Sequence, residues 1–284
     1  MFAGEELTEF LESLEGKTKK TILTYKTQYN KLAAGLQTTE VTSVSEKKVV
    51  ELIKQYPNPN NQQALYNVAI LLRKMKKLPY SILTKERDKN ILIVKEHTRQ
   101  KNKQLETQLP TLNDLLEYTD DLFDNGKYTD FIINYLLLNY QVRNKDLNFT
   151  ITNRKKHMTD IHKNYIWFDV KTKKAVYLRR DYKTEKTYGE KKHIITDKEF
   201  ITAVRRVLAC QKHNEECGVF IPNEDQLGYY IRKATYNEIG EGAYLKIIIR
   251  ALAKEGNIDK LKEISDNRGT SVDTLIESYN INIK

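Results

Sequence analysis

The chain has 284 residues, 39% hydrophobic and 30% charged, with 18 Tyr and 8 Phe. At roughly 100–200 residues per domain this is enough for two domains, and the aromatic content excludes a disordered chain. Forty-eight Lys and Arg against 38 Asp and Glu leave a formal charge of +10, which favours an anionic partner, nucleic acid being the commonest.

In chain order, Leu7, Phe10, Leu11 and Leu14, then Ile22, Tyr25, Tyr29 and Leu32, recur at three- and four-residue steps. They predict two amphipathic helices, the second starting near Thr18. Glu46 to Tyr56 and Gln62 to Met75 repeat the pattern around Pro57-Asn-Pro59-Asn-Asn, whose prolines interrupt a helix. Residues 1–83 are therefore expected to form an all-helical domain. From Thr84 to Gln108, Lys, Arg, Glu and Gln dominate and the apolar face shrinks to Ile91, Leu92, Ile93 and Val94. This segment reads as an exposed helical connection, so 84–109 is expected as the linker and 110–284 as the second domain.

Thr111 or Asn113 is a candidate N-cap for a helix over Leu112 to Asn125 that stops at Gly126. Tyr128 to Tyr140 is apolar enough to be a buried helix. The period then changes. Asn164–Val170, Ala175–Arg180 and Lys192–Thr196 carry aromatic and branched residues and predict a three-stranded antiparallel sheet. Helical pattern returns over Asp197–Gln211, Asp225–Tyr236, Gly242–Glu255, Ile258–Ser265 and Ser271–Tyr279. The expected class is mainly α with a small antiparallel sheet, α+β.

No stretch approaches the roughly 18 apolar residues of a membrane helix. The opening MFAGEELTEF is acidic where a secretory signal is basic, so an intracellular protein with no membrane partner is expected. Cys210 and Cys217, with His213 between them, give at most three ligands; reduced thiols and no metal site are expected. No Gly-rich phosphate loop, HExxH or G-x-S-x-G occurs, which leaves nucleotide hydrolysis, zinc proteolysis and the hydrolase elbow without support.

What remains is basic residues and tyrosines. Arg143 follows the apolar helix in LLLNYQVRNKDL, with Asp146 three residues on; taken alone, this is an ion pair at a helix boundary. Lys183 and Lys186 lie in a turn at a hairpin tip, where lysines are usually solvated. Lys246 and Arg250, four residues apart, share a helical face. Arg268-Gly-Thr-Ser271 precedes a further helix, and Tyr279 stands near the end. Arg73 to Lys77, Lys95 to Lys103 and Arg154 to His157 are basic clusters that would touch phosphates or simply face solvent.

An arginine after an apolar helix, a hairpin lysine, a basic helix and a late tyrosine resemble, in that order, the catalytic domain of tyrosine recombinases, or phage-type integrases. NYQVRNKDL, YLRRDYKTEKTYGEKK and SDNRGTSVDTLIESYN look most like divergent members from large DNA viruses and their satellite elements. Phe10 to Leu32 resembles the core-binding domain of the family, so the resemblance covers nearly the whole chain. It implies Arg143 as the first catalytic arginine, oriented by Asp146. It also implies Lys183, or Lys186 if the turn is shifted, as general acid, and Tyr279 as the nucleophile. The chain departs from the family's His-x-x-Arg motif: Ala243 stands at the histidine and Lys246 at the arginine, with Arg250 one turn later as the alternative. Thr270 stands at the family's next His or Trp, with Arg268 close by.

The implied activity is site-specific cutting and rejoining of DNA through a 3′-phosphotyrosine, without cofactor or metal. The implied partner is double-stranded DNA, gripped between the two domains. The chain is expected to be a monomer when free and a homotetramer on paired sites, acting in a host nucleus or cytoplasm or in a viral factory. The departures leave a catalytically degenerate DNA-binding relative as the alternative, and a type IB topoisomerase-like enzyme, which shares the tyrosine chemistry, as another.

Overall fold

Helix α1 (Glu5–Glu12), α2 (Lys19–Leu36), α3 (Glu46–Lys54), α4 (Pro59–Met75) and α5 (Ser81–Glu106) follow one another through the first third of the chain. The computed structural model describes residues 4–106, 108–213, 226–272 and 275, and its two units are Met1–Leu105 and Glu106–Lys284. Thr18 starts α2 by accepting from the Thr21 amide at 3.2 Å. Of the two prolines that interrupt the pattern, Pro59 starts α4 instead of ending a helix. The first helical position leaves its N–H unpaired in any case, so a residue without one is tolerated there. Phe10, Leu32, Ile53, Leu65, Val68 and Leu72 make the core of this unit. A buried carboxylate, Glu6, accepts from Tyr29 Oη at 3.0 Å, the Val41 amide at 2.7 Å and the Thr42 amide at 3.1 Å, which ties α1 to the α2–α3 connection.

The segment expected as a connection is the body of α5. Leu83 is buried in the first unit's core, and Asn90 Nδ2 donates to the Pro59 carbonyl at 2.9 Å. Beyond that point Leu92 and Ile93 are exposed.

In the second unit, α6 (Leu112–Asp124) and α7 (Tyr128–Tyr140) lie where the periodicity places them. Thr111 caps α6 reciprocally with Asp114. Phe131, Ile132, Ile133, Leu136 and Leu137 of α7 are buried. The sheet is β1 (Phe149–Thr152), β2 (Asn164–Asp169), β3 (Lys174–Arg179) and β4 (Lys191–Ile195), in that spatial order. β2–β3 and β3–β4 are antiparallel, with Tyr177 opposite His193.

The expectation of a three-stranded, purely antiparallel sheet is corrected. β1 pairs parallel to β2, with Phe149 opposite Asn164. β1 has only four residues, too few for alternation to stand out, and residues 153–163 return the chain to the same end of the sheet, as parallel pairing requires. Between β3 and β4 lies one turn of helix, α8 (Glu185–Tyr188). α9 (Lys198–His213) packs on α7, with Tyr135 and Phe200 ring centroids 4.7 Å apart.

α10 (Leu227–Ala234), α11 (Gly240–Glu255) and α12 (Ile258–Arg268) complete the described helices. α10 and α11 are fastened to α7 through Asn134, which donates to the Ala234 carbonyl at 2.7 Å and accepts from Tyr244 Oη. The expected helix Ser271–Tyr279 falls largely outside the described residues. Cys210, expected as a reduced thiol, is disulfide-bonded; the chain's other cysteine, Cys217, lies outside the described residues.

Candidate functional site

Gln141 ends α7 in the left-handed region, at φ 46°, and so turns the chain sharply before Arg143. Three residues on, Asp146 is fully buried. Its Oδ2 accepts from the Arg143 backbone amide at 3.1 Å and from Arg179 Nη1 at 2.9 Å. The expected partnership of Asp146 with Arg143 is thereby extended: the carboxylate fixes the Arg143 backbone and also takes the Arg179 guanidinium as a buried partner. Both members of the Asp146–Arg179 pair have side chains 0% exposed. Burial raises the Asp146 pKa above the ordinary carboxylate value, against the pull of the Arg179 guanidinium.

Arg179 is a residue the sequence reading missed. It sits at the end of β3, with its guanidinium 5.9 Å from the Tyr177 ring centroid and 5.5 Å from that of Tyr182. The signal was present: Ala175, Tyr177 and Arg179 alternate on one face of a strand, and all three are fully buried. Arg180, on the other face, pairs with Glu190 at 2.6 Å. Across the sheet, His193 Nε2 lies 3.3 Å from Arg179 Nη2. Burial first, then the charges of Arg179 and Lys191, push the His193 pKa down to about 4. The ring is thus neutral near pH 7 and, since a guanidinium only donates, Nε2 accepts and Nδ1 carries the proton.

Three cations meet the last carbonyls of α12. Lys191 Nζ donates to the Asp266 carbonyl, Arg179 Nη2 to that of Asn267 at 2.7 Å, and Arg143 Nη1 to that of Arg268. The final carbonyls of a helix lack intrahelical partners and carry the negative end of its dipole. This end of α12 is what draws β3, β4 and Arg143, three residues past α7, into one cluster. Lys191 lies 5.7 Å and 5.2 Å from the ring centroids of Tyr182 and Tyr188. Burial first, then the Arg179 charge, lowers its pKa.

A fourth cation, Arg268, is itself buried and donates through Nη1 to the Gln141 carbonyl at 2.8 Å and through Nη2 to Glu241 Oε1 at 2.5 Å. Gly269 then caps α12 at φ +58°, and a Cβ there would run into Thr184 Oγ1 and, at 3.0 Å, Tyr188 Cδ2. Gly269→Ala is accordingly expected to destabilise the second unit by about 2 kcal/mol or more, from strain at positive φ plus the clash. Denaturant unfolding would check it, and a change below about 0.5 kcal/mol would contradict the close approach, being no larger than a neutral surface substitution.

Of the residues singled out from sequence, Arg143, Asp146 and Arg268 come together here. Lys183 and Lys186 are exposed in the β3–β4 connection, whose Thr184 and Tyr188 border the cluster through Gly269. Lys246 is half-buried and Arg250 exposed on α11. At about 100° per residue, they lie roughly 140° and 180° around that helix from Glu241, so neither shares the face that Glu241 turns to Arg268. Thr270 is half-buried, and its carbonyl accepts from Ser265 Oγ. Tyr279 lies outside the described residues. Tyr244 is fully buried, with its hydroxyl committed to Asn134.

In the Arg73 to Lys77 cluster, Lys74, Lys76 and Lys77 are exposed. Arg73 donates to the Pro79 and Val44 carbonyls at 2.6 Å and 3.0 Å, and Lys76 pairs with Glu9. In the third cluster, Lys155 lies 5.9 Å from the Trp167 ring centroid. Among the described residues no group of three or more His, Cys, Asp or Glu could hold a metal ion, and no helix is long and apolar enough to cross a membrane.

No protein-family model matches the chain, and none of the curated proteins matches it. Among solved structures it is similar to the crystal structure of XerA recombinase, at 14% identity over 98% of this chain and 94% of that one, with a TM-score of 0.37. A likeness of that size assigns neither residue roles nor an activity.

Proposed function

We propose that the chain is a DNA strand-transfer enzyme that cuts and rejoins duplex DNA at specific sites through a tyrosine. The observation that carries this reading is the convergence of Arg143, Arg179, Lys191 and Arg268 at one helix end, in a chain of formal charge +10. A phosphodiester under attack gathers negative charge on its nonbridging oxygens, and guanidinium groups meet those oxygens with paired donors. In this reading Arg143 holds that phosphate. The buried Asp146–Arg179 pair holds Arg143's backbone and the end of α12.

Tyr279, eleven residues after Arg268, attacks phosphorus through its hydroxyl. The bond to the 5′ oxygen breaks, and the phosphate stays on the tyrosine as a 3′-phosphotyrosine ester ready for rejoining. A lysine supplies the proton to the departing oxygen. Lys183 on the exposed turn is one candidate; Lys191, held in the cluster against the Asp266 carbonyl, with its pKa lowered by burial and by the Arg179 charge, is the other. The helical unit acts as the core-binding domain on double-stranded DNA, joined to the catalytic domain through residues 84–109, and four protomers assemble on paired sites.

A second reading has its own support. Arg268 is held by Glu241 and by backbone carbonyls, which is the state of a structural arginine in a DNA-binding protein that no longer cleaves. The two readings part on one result. A nicked duplex carrying the cognate site traps a covalent protein–DNA adduct, seen on a denaturing gel, only if the chain cleaves.

A further inference from the structure

Glu241 sits in the first turn of α11 and satisfies two donors at once. Its Oε1 accepts from Arg268 Nη2 at 2.5 Å, and its Oε2 accepts from the Asn144 backbone amide at 3.3 Å. A phosphate would sit on the same pair, because it too offers two oxygens, one to Arg268 Nη2 and one to the Asn144 amide. The two donors are unequal to Glu241 in freedom. Arg268 is anchored independently through Nη1, to the Gln141 carbonyl at 2.8 Å and the Val142 carbonyl at 3.4 Å, and would stay in place if the carboxylate left. Glu241 reaches the edge of the cluster, with a side chain 16% exposed, and a rotamer change would return it to water. Asn144 directly follows Arg143, whose guanidinium donates to the backbone carbonyl of Arg268. An anion on Arg268 and the Asn144 amide would therefore lie beside the residue to which phosphate binding is assigned above.

We propose that Arg268 and the Asn144 amide form an anion site for a DNA phosphate, and that Glu241 fills it in the free protein as a self-inhibiting occupant. The proposal rests on the reading of this cluster as a DNA phosphate site, but not on whether the chain cleaves. Binding a duplex expels the carboxylate, and a phosphate takes over both of its hydrogen bonds. Removing the charge at Glu241 therefore makes binding tighter.

The test compares the full chain with Glu241→Gln, with Glu241→Gln/Arg268→Gln, and with Glu255→Gln, an exposed residue elsewhere on α11 that makes the same change in net charge. Inorganic phosphate and a short duplex are the probes, read by melting temperature and by titration at fixed salt. Glu241→Gln is expected to bind the duplex about tenfold tighter than the parent, the worth of one charge-assisted hydrogen bond no longer contested. Its melting temperature should fall without phosphate and recover with it. The gain should be absent in the double variant and in Glu255→Gln.

An unchanged or weaker duplex affinity overturns the proposal, as does an equal gain in Glu255→Gln. A response to phosphate without one to duplex overturns the assignment to DNA. If Glu241→Gln folds only when phosphate is present, the site stands; if phosphate does not rescue it, the carboxylate is structural and the proposal fails. Covalent adduct is scored separately: the tenfold gain without any adduct sinks the cleavage reading alone, and adduct without the gain sinks only the role of Glu241.

Discussion

Asp146→Ala is expected to destabilise the second unit by about 3–5 kcal/mol, because it leaves the Arg179 guanidinium buried without its counter-charge. Both side chains are fully buried, and Arg179 spans from Asp146 to the Asn267 carbonyl. The loss should therefore spread to the end of α12 and to the anchorage of Arg143 and Lys191. Urea unfolding of the parent and variant, followed by the circular dichroism of the helices, measures it. Replacing both partners with apolar residues, as in Asp146→Leu/Arg179→Met, should recover much of the stability, since a buried pair is often no better than well-packed hydrophobic side chains. The double variant should still lack strand cleavage. A loss below about 1 kcal/mol in Asp146→Ala, the range of a solvent-exposed pair, would mean that water reaches the pair and that it does not organise the cluster.

Arg143→Lys is expected to have the opposite profile. An ammonium can still donate to the Arg268 carbonyl, so stability should change by less than about 1 kcal/mol. It cannot present the planar fork that meets two phosphate oxygens together, and cleavage should fall about 100-fold or more, the typical effect of deleting one preorganised donor at a transition-state oxyanion. Single-turnover cleavage of a nicked duplex beside a thermal melt separates the two effects. Parallel losses in both would return Arg143 to a structural role as a cap of α12.

Much of the fold was legible because its signals are local. The three- and four-residue recurrences in α1 and α2, the apolar run Tyr128–Tyr140 and the aromatic and branched residues of β2 and β3 each lie within one element, and the observed bounds follow them. β1 was not legible: Phe149–Thr152 is short, and what makes it a strand is a parallel partner fifteen residues on. The candidate site was legible in part for the same reason. Arg143 was singled out by its place after the apolar helix, where the structure has it at the α7 exit; Arg268, singled out as lying ahead of a further helix, is instead the last residue of α12.

Asp146 was matched with Arg143 alone, whose backbone amide it does hold. Sequence proximity favours the residue three positions away, whereas the fold brings Arg179 from 33 residues on. Lys191 and Glu241 carried no local signal, since each looks like an ordinary surface charge until β4 and α11 are laid against the same helix end. Pro59 shows a milder form of the problem, because the residue that breaks one helix is also suited to begin the next.

The central claim, that this cationic cluster serves a tyrosine that joins covalently to DNA, is tested most directly by incubating the full chain with a nicked duplex containing its cognate site. Denaturing electrophoresis and mass analysis of the DNA-linked peptide give the readout. The account predicts a stable adduct whose linked peptide contains Tyr279, absent in Tyr279→Phe although that variant still binds the duplex. Duplex binding with no adduct in the parent chain, or an adduct that persists in Tyr279→Phe, would contradict it.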